Sequence, residues 1–142
     1  MAGQIAEASV AYASIYQQAQ TSIYIVDNYS GLKSLLLLKG IKPSVEVTIF
    51  SDNVGNGLSL AEYNEFRREY PYVHVAFKKT GGKYHDRFIV LDYGQDSQRI
   101  FHCGGSSKDG GKRTTAISEM DDMMLYAPMI NDLQKNPALR LR

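Results

Sequence analysis

The stretch Lys83-Tyr84-His85-Asp86-Arg87-Phe88-Ile89-Val90-Leu91-Asp92 holds the side chains best suited to chemistry in this chain. If a strand begins near Asp86, His85 and Arg87 lie two residues apart and point to one side of it. That pairing presents an imidazole beside a guanidinium. The imidazole can act as a nucleophile or as a proton donor. The guanidinium can hold two phosphate oxygens at once. Asp92 closes the apolar run and is placed to fix a histidine tautomer. A second stretch, Gly104-Gly105-Ser106-Ser107-Lys108-Asp109-Gly110-Gly111-Lys112, reads as a glycine-rich loop. Its small residues let backbone amides approach an anion, while Ser106, Ser107 and Lys108 add donors. Neither glycine fingerprint of nucleotide-binding helices is present in it. Glu119 follows Lys108 by eleven residues and could return to the same place.

Charge is unevenly distributed, which on its own is read first as a solvated surface, with attraction of an anionic ligand as the alternative. Residues 78–113 carry eight basic side chains against four acidic ones, a net of +4, whereas the rest of the chain nets −3. A phosphate-bearing partner would be drawn to that quarter of the sequence.

Other reactive side chains have plainer readings. His74 alternates with Val73 and Val75 and reads as a partly buried strand histidine. His102 precedes the glycine-rich stretch by two residues; a structural role is favoured, with a place lining the site as the alternative. Cys103 reads as a small core residue, with a cysteine–histidine pair as a minor alternative. As the single cysteine it rules out an internal disulfide and a cysteine-rich zinc site, in keeping with a reducing, cytoplasmic setting. Glu119, Asp121 and Asp122 read as a solvated turn rather than a metal site, since no histidine stands at ligand spacing. No metal or cofactor is expected.

The elements that must position these residues can be read in order. Ala6 to Gln20 has no glycine or proline and suits a helix. Ile23 to Val26 is a short apolar run of the kind buried on both faces of a sheet, and Ser30 can cap a helix through Leu38. Val45, Val47 and Ile49 alternate as a strand. Ser59-Leu60-Ala61-Glu62 is a capping box that opens a helix running to Tyr70. Strands follow over 73–77, 88–91 and 99–103, the last two joined by a hairpin at 93–98. Met123 to Tyr126 reads as one more strand, and Pro128 as the start of a closing helix. The order predicts a mixed sheet flanked by helices in a single domain over residues 1–142. With 44% hydrophobic and 22% charged residues the composition is that of an ordinary soluble chain. No apolar run nears the ~20 residues of a membrane span, and no secretory leader is expected.

His85, Arg87 and Asp92, with Gly105, Ser106 and Lys108 after a gap, resemble the phospholipase D superfamily. Its signature is His-any-Lys, four residues, Asp, followed by Gly-Ser-any-Asn. Shorter nuclease members carry a glutamate at about the separation of Glu119 from Ser106. The resemblance runs from Ile23 onward and implies the phospholipase D-type α/β sandwich, a mixed sheet with helices on both faces. It departs at two positions, with Arg87 for lysine and Lys108 for asparagine, and both substitutions keep or add positive charge. The His-Asp-Arg form resembles bacterial and phage-associated members, and also a membrane-trafficking branch thought to bind rather than cleave.

The resemblance implies metal-independent phosphoryl transfer in two steps, in which one histidine forms a phosphohistidine and another protonates the leaving group. It implies His85 as nucleophile or acid, Arg87 and Lys108 as phosphate clamps, Gly105, Ser106 and Ser107 as further contacts, and Asp92 and Glu119 as orienting groups. Since this chain has one motif, a homodimer would place two copies of His85 at one site. The leading expectation is a phosphodiesterase, with nucleic acid favoured over phospholipid. The alternative is a non-catalytic domain that dimerises and binds nucleic acid or anionic lipid headgroups. An accessory domain of a longer phage-type protein is a third reading.

Overall fold

The structure, a computed structural model, describes residues 2–55, 57–82, 86–109 and 112–142, with side chains described outside 2–8, 105–109 and 112–116. A six-stranded sheet in the order β3-β2-β1-β4-β5-β6 organises the chain. Its first half is parallel: β1 (Ser22–Val26) pairs with β2 (Glu46–Phe50), and β2 with β3 (His74–Lys78). β4 (Arg87–Leu91) then runs antiparallel to β1, followed by β5 (Arg99–Asp109) and β6 (Lys112–Met120), also antiparallel. The mixed sheet is therefore parallel on one side of β1 and antiparallel on the other.

Both faces are covered, which explains the unbroken apolar runs of β1 and β4. One face carries Ile23, Ile25, Val47, Ile49, Ile89, Leu91 and Phe101. Against it pack α1 (Ala2–Gln17) through Ile15 and Tyr16, α2 (Leu32–Leu36) through Leu35, and α3 (Leu60–Glu69) through Phe66. The other face carries Val26, Phe50, Phe88, Val90 and Ile100 beneath Ile130 and Leu133 of α4 (Met123–Gln134). The capping box of α3 is formed as read: Ser59 Oγ accepts from the Glu62 N–H at 3.1 Å, and Glu62 Oε1 accepts from the Ser59 N–H at 3.0 Å.

Several sequence expectations are corrected. Gly104 to Asp109 is the outer half of β5, and β6 returns beside it, with Ser106 opposite Thr114. The run of β-branched Thr114, Thr115 and Ile117 marks that return strand. Met123 to Tyr126 opens α4 instead of forming a strand, because Asp122 caps it (Met124 N–H to Oδ1, 3.1 Å). Met123, Tyr126, Ile130 and Leu133 then recur at helical spacing on the sheet, while Met124 and Leu125 are left exposed. Pro128 lies inside α4, and Gly31 rather than Ser30 is the N-cap of α2. His74 is exposed on the edge strand β3. Among the described residues no helix is long and apolar enough to cross a membrane.

Candidate functional site

Chemistry-bearing residues collect at one end of the sheet, where the parallel strands finish and β4 begins. In open α/β sheets this carboxyl end, next to the change in strand direction, is where ligands bind. Arg87 is the first residue of β4, half-buried, on the α1 side of the sheet with Ile89 and Leu91. Its partner in β5 is Cys103. On its other flank β1 ends with Val26 opposite Phe88, which puts Asp27 at the rung of Arg87. Tyr12 and Tyr16 of α1, four residues apart on one helix face and stacked at 6.4 Å, close over this rung.

The surroundings set the charge states. Burial pushes the Asp27 carboxyl above the ordinary range, and neither the Tyr29 N–H (2.9 Å to Oδ1) nor the Arg87 charge fully offsets it. Burial pushes Cys103 up to about 11 despite the neighbouring Tyr12 and Arg87. Tyr12 rises to about 12, through burial first and Cys103 second. Among the described residues the buried Tyr12 hydroxyl has no hydrogen-bond partner. A thiol held protonated and buried is a poor nucleophile at neutral pH, which argues against a cysteine–histidine pair. His102 is on the opposite face, its ring 5.2 Å from Phe88 and its Nε2 3.6 Å from Asp86. It packs there instead of lining the Arg87 side.

The other residues picked out from sequence fall in three places. His85 lies outside the described residues. Gly105, Ser106, Ser107 and Lys108 continue β5 beyond Cys103, so their backbone leads away from the rung of Arg87 along the β5–β6 ribbon. Asp92 and Glu119 are not gathered with Arg87. Asp92 lies five residues along the strand, about 16 Å away. Its Oδ1 accepts from the N–H groups of Gln20 (2.9 Å), Thr21 (2.7 Å) and Ser22 (3.3 Å) and from the Thr21 hydroxyl (3.1 Å). Its Oδ2 accepts from Ser97 Oγ at 2.9 Å. Asp92 thus ties the entry of β1 to the exit of β4, from a left-handed backbone (φ 54°) that aspartate tolerates. Glu119 stands opposite Phe101 and makes a two-pronged pair with Arg99, each contact 2.8 Å.

Asp27, Tyr12 and a second carboxylate, Asp52, were not singled out in the sequence. A signal existed for Asp27 and Asp52: each directly or closely follows a buried parallel strand, at the end where such sheets bind ligands. Asp52 accepts from Thr80, Gly81 and Gly82, and so joins the loop after β2 to the loop that leads toward β4. No group of three or more histidine, cysteine or acidic side chains suited to a metal ion occurs among the described residues.

Strand order and two-sided helical cover give an α/β architecture of the phospholipase D type. The fold is shared with the crystal structure of a phospholipase D family member, Nuc from Salmonella typhimurium, at a TM-score of 0.57. The match covers 92% of this chain and 90% of that one, with 16% sequence identity, so the likeness is one of fold. No family model matches the sequence. No curated protein matches it either.

Proposed function

We propose that the protein is a metal-independent phosphodiesterase whose reacting group is His85, with nucleic acid as substrate and a site shared between two subunits. The observation that supports this most directly is the place of Arg87. It opens β4 at the ligand-binding end of a phospholipase D-type sheet, two residues after His85. In this reading an imidazole nitrogen of one His85 attacks phosphorus, and the bond to the leaving oxygen breaks. The second subunit's His85 supplies the proton to that oxygen. Water then attacks the phosphohistidine, releasing a phosphomonoester and restoring the imidazole. Arg87 holds the non-bridging oxygens in this scheme, and Ser106 and Lys108, whose backbone lies farther out on β5, are proposed as donors to the substrate's phosphates from there. Asp92 and Glu119 act at a distance in this scheme, through the strands they brace.

The basic excess of residues 78–113 and the exposed Tyr29 beside Asp27 favour a nucleic acid, which offers repeated phosphates and bases to stack on. A second reading, a dimer that binds phosphodiesters without turnover, is favoured by Asp27, whose carboxylate at the same rung would compete for Arg87. Hydrolysis of an aryl phosphodiester and of short single- and double-stranded DNA, with EDTA present, separates the two. The enzyme reading expects His85→Ala to lose about 10³-fold or more of the activity at matched dimer content. Absence of turnover in the wild type, with DNA binding retained, leaves the binding module.

A further inference from the structure

Three loops meet where β1, β2 and β3 end, and one carboxylate ties them together. Asp52 Oδ1 accepts from the N–H of Thr80 at 3.0 Å and of Gly81 at 3.3 Å. Its Oδ2 accepts from the N–H of Gly82 at 2.9 Å. The Thr80 hydroxyl lies 2.7 Å from Asp52 Oδ2 and 2.8 Å from Asn28 Oδ1, and shares its one proton between them. Asn28 Oδ1 also accepts the Asp52 N–H at 3.0 Å. Thr80 is fully buried. Gly81 and Gly82 both have left-handed backbones (φ 76° and 71°), which turn their successive N–H groups onto the carboxylate.

The carboxylate is itself held on a rigid mount. Asn53 (φ 53°) exchanges two 2.9 Å hydrogen bonds with the backbone of Leu58 and donates a third, at 2.9 Å, from its own N–H to Ser51 Oγ. A Cβ at Gly57 would stand 2.4 Å from the Ser30 carbonyl oxygen, so only glycine allows the two loops to approach this closely. Burial would raise the Asp52 carboxyl, but the Thr80 hydroxyl and the three N–H groups outweigh it and hold the group below the ordinary range. A loop staple alone would not need to be charged, and four converging donors keep this one charged.

Chain connectivity gives the staple its further meaning. Gly82 precedes His85 by three residues, and Arg87 follows it by two. Asp52 therefore holds the chain at Gly82, three residues before His85, and the pairing of β4 holds it again at Arg87, two residues after His85. We propose that Asp52, acting through Thr80 and braced by Asn28, is a positioning residue for His85. This rests on the reading that His85 is the functional group of the site.

The test follows the ring protons of the three histidines by NMR through a pH titration, with His85 assigned by loss of its signals in His85→Ala. Asp52→Asn keeps the size but turns a donor toward Thr80 and Gly82, while Thr80→Val removes only the hydroxyl. Both are expected to move the His85 titration midpoint by about half a unit or more. His74 and His102 should keep theirs, and Thr80→Ser should restore the wild-type curve. Where the wild type turns over, kcat of both variants should fall about 10²-fold with KM little changed. An unmoved His85 titration in folded Asp52→Asn and Thr80→Val overturns the proposal. Should Asp52→Asn fail to fold, the Thr80 pair carries the same measurement. A wild type without turnover counts against the phosphodiesterase reading alone, since the histidine titration does not depend on catalysis.

Discussion

Arg87 and Asp27 share a rung, and anion binding at Arg87 is expected to depend on pH through Asp27. Burial holds the Asp27 proton more firmly than in water, so its titration lies above the ordinary carboxylate range. Above that midpoint the Asp27 charge opposes an anion held by Arg87, and below it that opposition is removed. Cys103 and Tyr12, pushed up to about 11 and about 12, stay neutral throughout and add no competing term. Sulfate, which does not titrate in this range, is the suitable probe, and His85→Ala the suitable background, because the histidine would add a rise of its own. Sulfate affinity is expected to increase about tenfold as pH falls through the Asp27 midpoint. Asp27→Asn should bind tightly at every pH. A flat profile in the parent would show that the carboxylate does not compete for Arg87.

At the scale of elements, the sheet is locked at its far end by Asp92, which holds three successive N–H groups ahead of β1. Asp92→Ala leaves those donors unpaired beside the core and should cost about 1–3 kcal/mol in urea unfolding. Burial alone would raise the Asp92 carboxyl, but the bonds from Thr21, Gln20, Ser97 and Ser22 outweigh it and lower the pKa. A depressed folded-state value stabilises above the unfolded value of ~3.9 and is lost as pH falls through the folded one. Asp92→Asn, which can keep accepting the N–H bonds, should therefore flatten the acid limb of the stability profile. An acid limb as steep as the parent's would count against this assignment. The same residue marks the limit of what the sequence makes legible. That Asp92 ends a buried strand could be read from the apolar run before it, as could β1 and the Ser59 capping box. Which groups its oxygens meet depends on Gln20 to Ser22, some seventy residues away, and so on the antiparallel register of β1 and β4. The Asp27–Arg87 rung was hidden for the same reason. Met123 to Tyr126 misled because four apolar residues in a row carry no period; the period of α4 emerges only over the next two turns, from Tyr126 to Leu133.

At the scale of the whole molecule, the proposed two-histidine reaction would have to be served by one sequence motif on one sheet. In the proposed scheme one imidazole is the nucleophile and another the acid, whereas the chain carries the motif once, with His85 two residues before Arg87. His102 offers no second one, as it packs against Phe88 on the face away from Arg87. A two-fold axis would bring two copies of the β4 head together, each subunit giving the same residues to a common site. This geometry makes a quantitative prediction about mixed subunits. When wild type and His85→Ala are unfolded together in equal amounts and refolded, random pairing leaves about one quarter of the dimers with two histidines. If both are needed, activity per total chain should fall to about one quarter of the wild-type value, with the heterodimers silent. Sites complete within each subunit would retain about one half instead, and that result would require the second proton donor to come from the same chain.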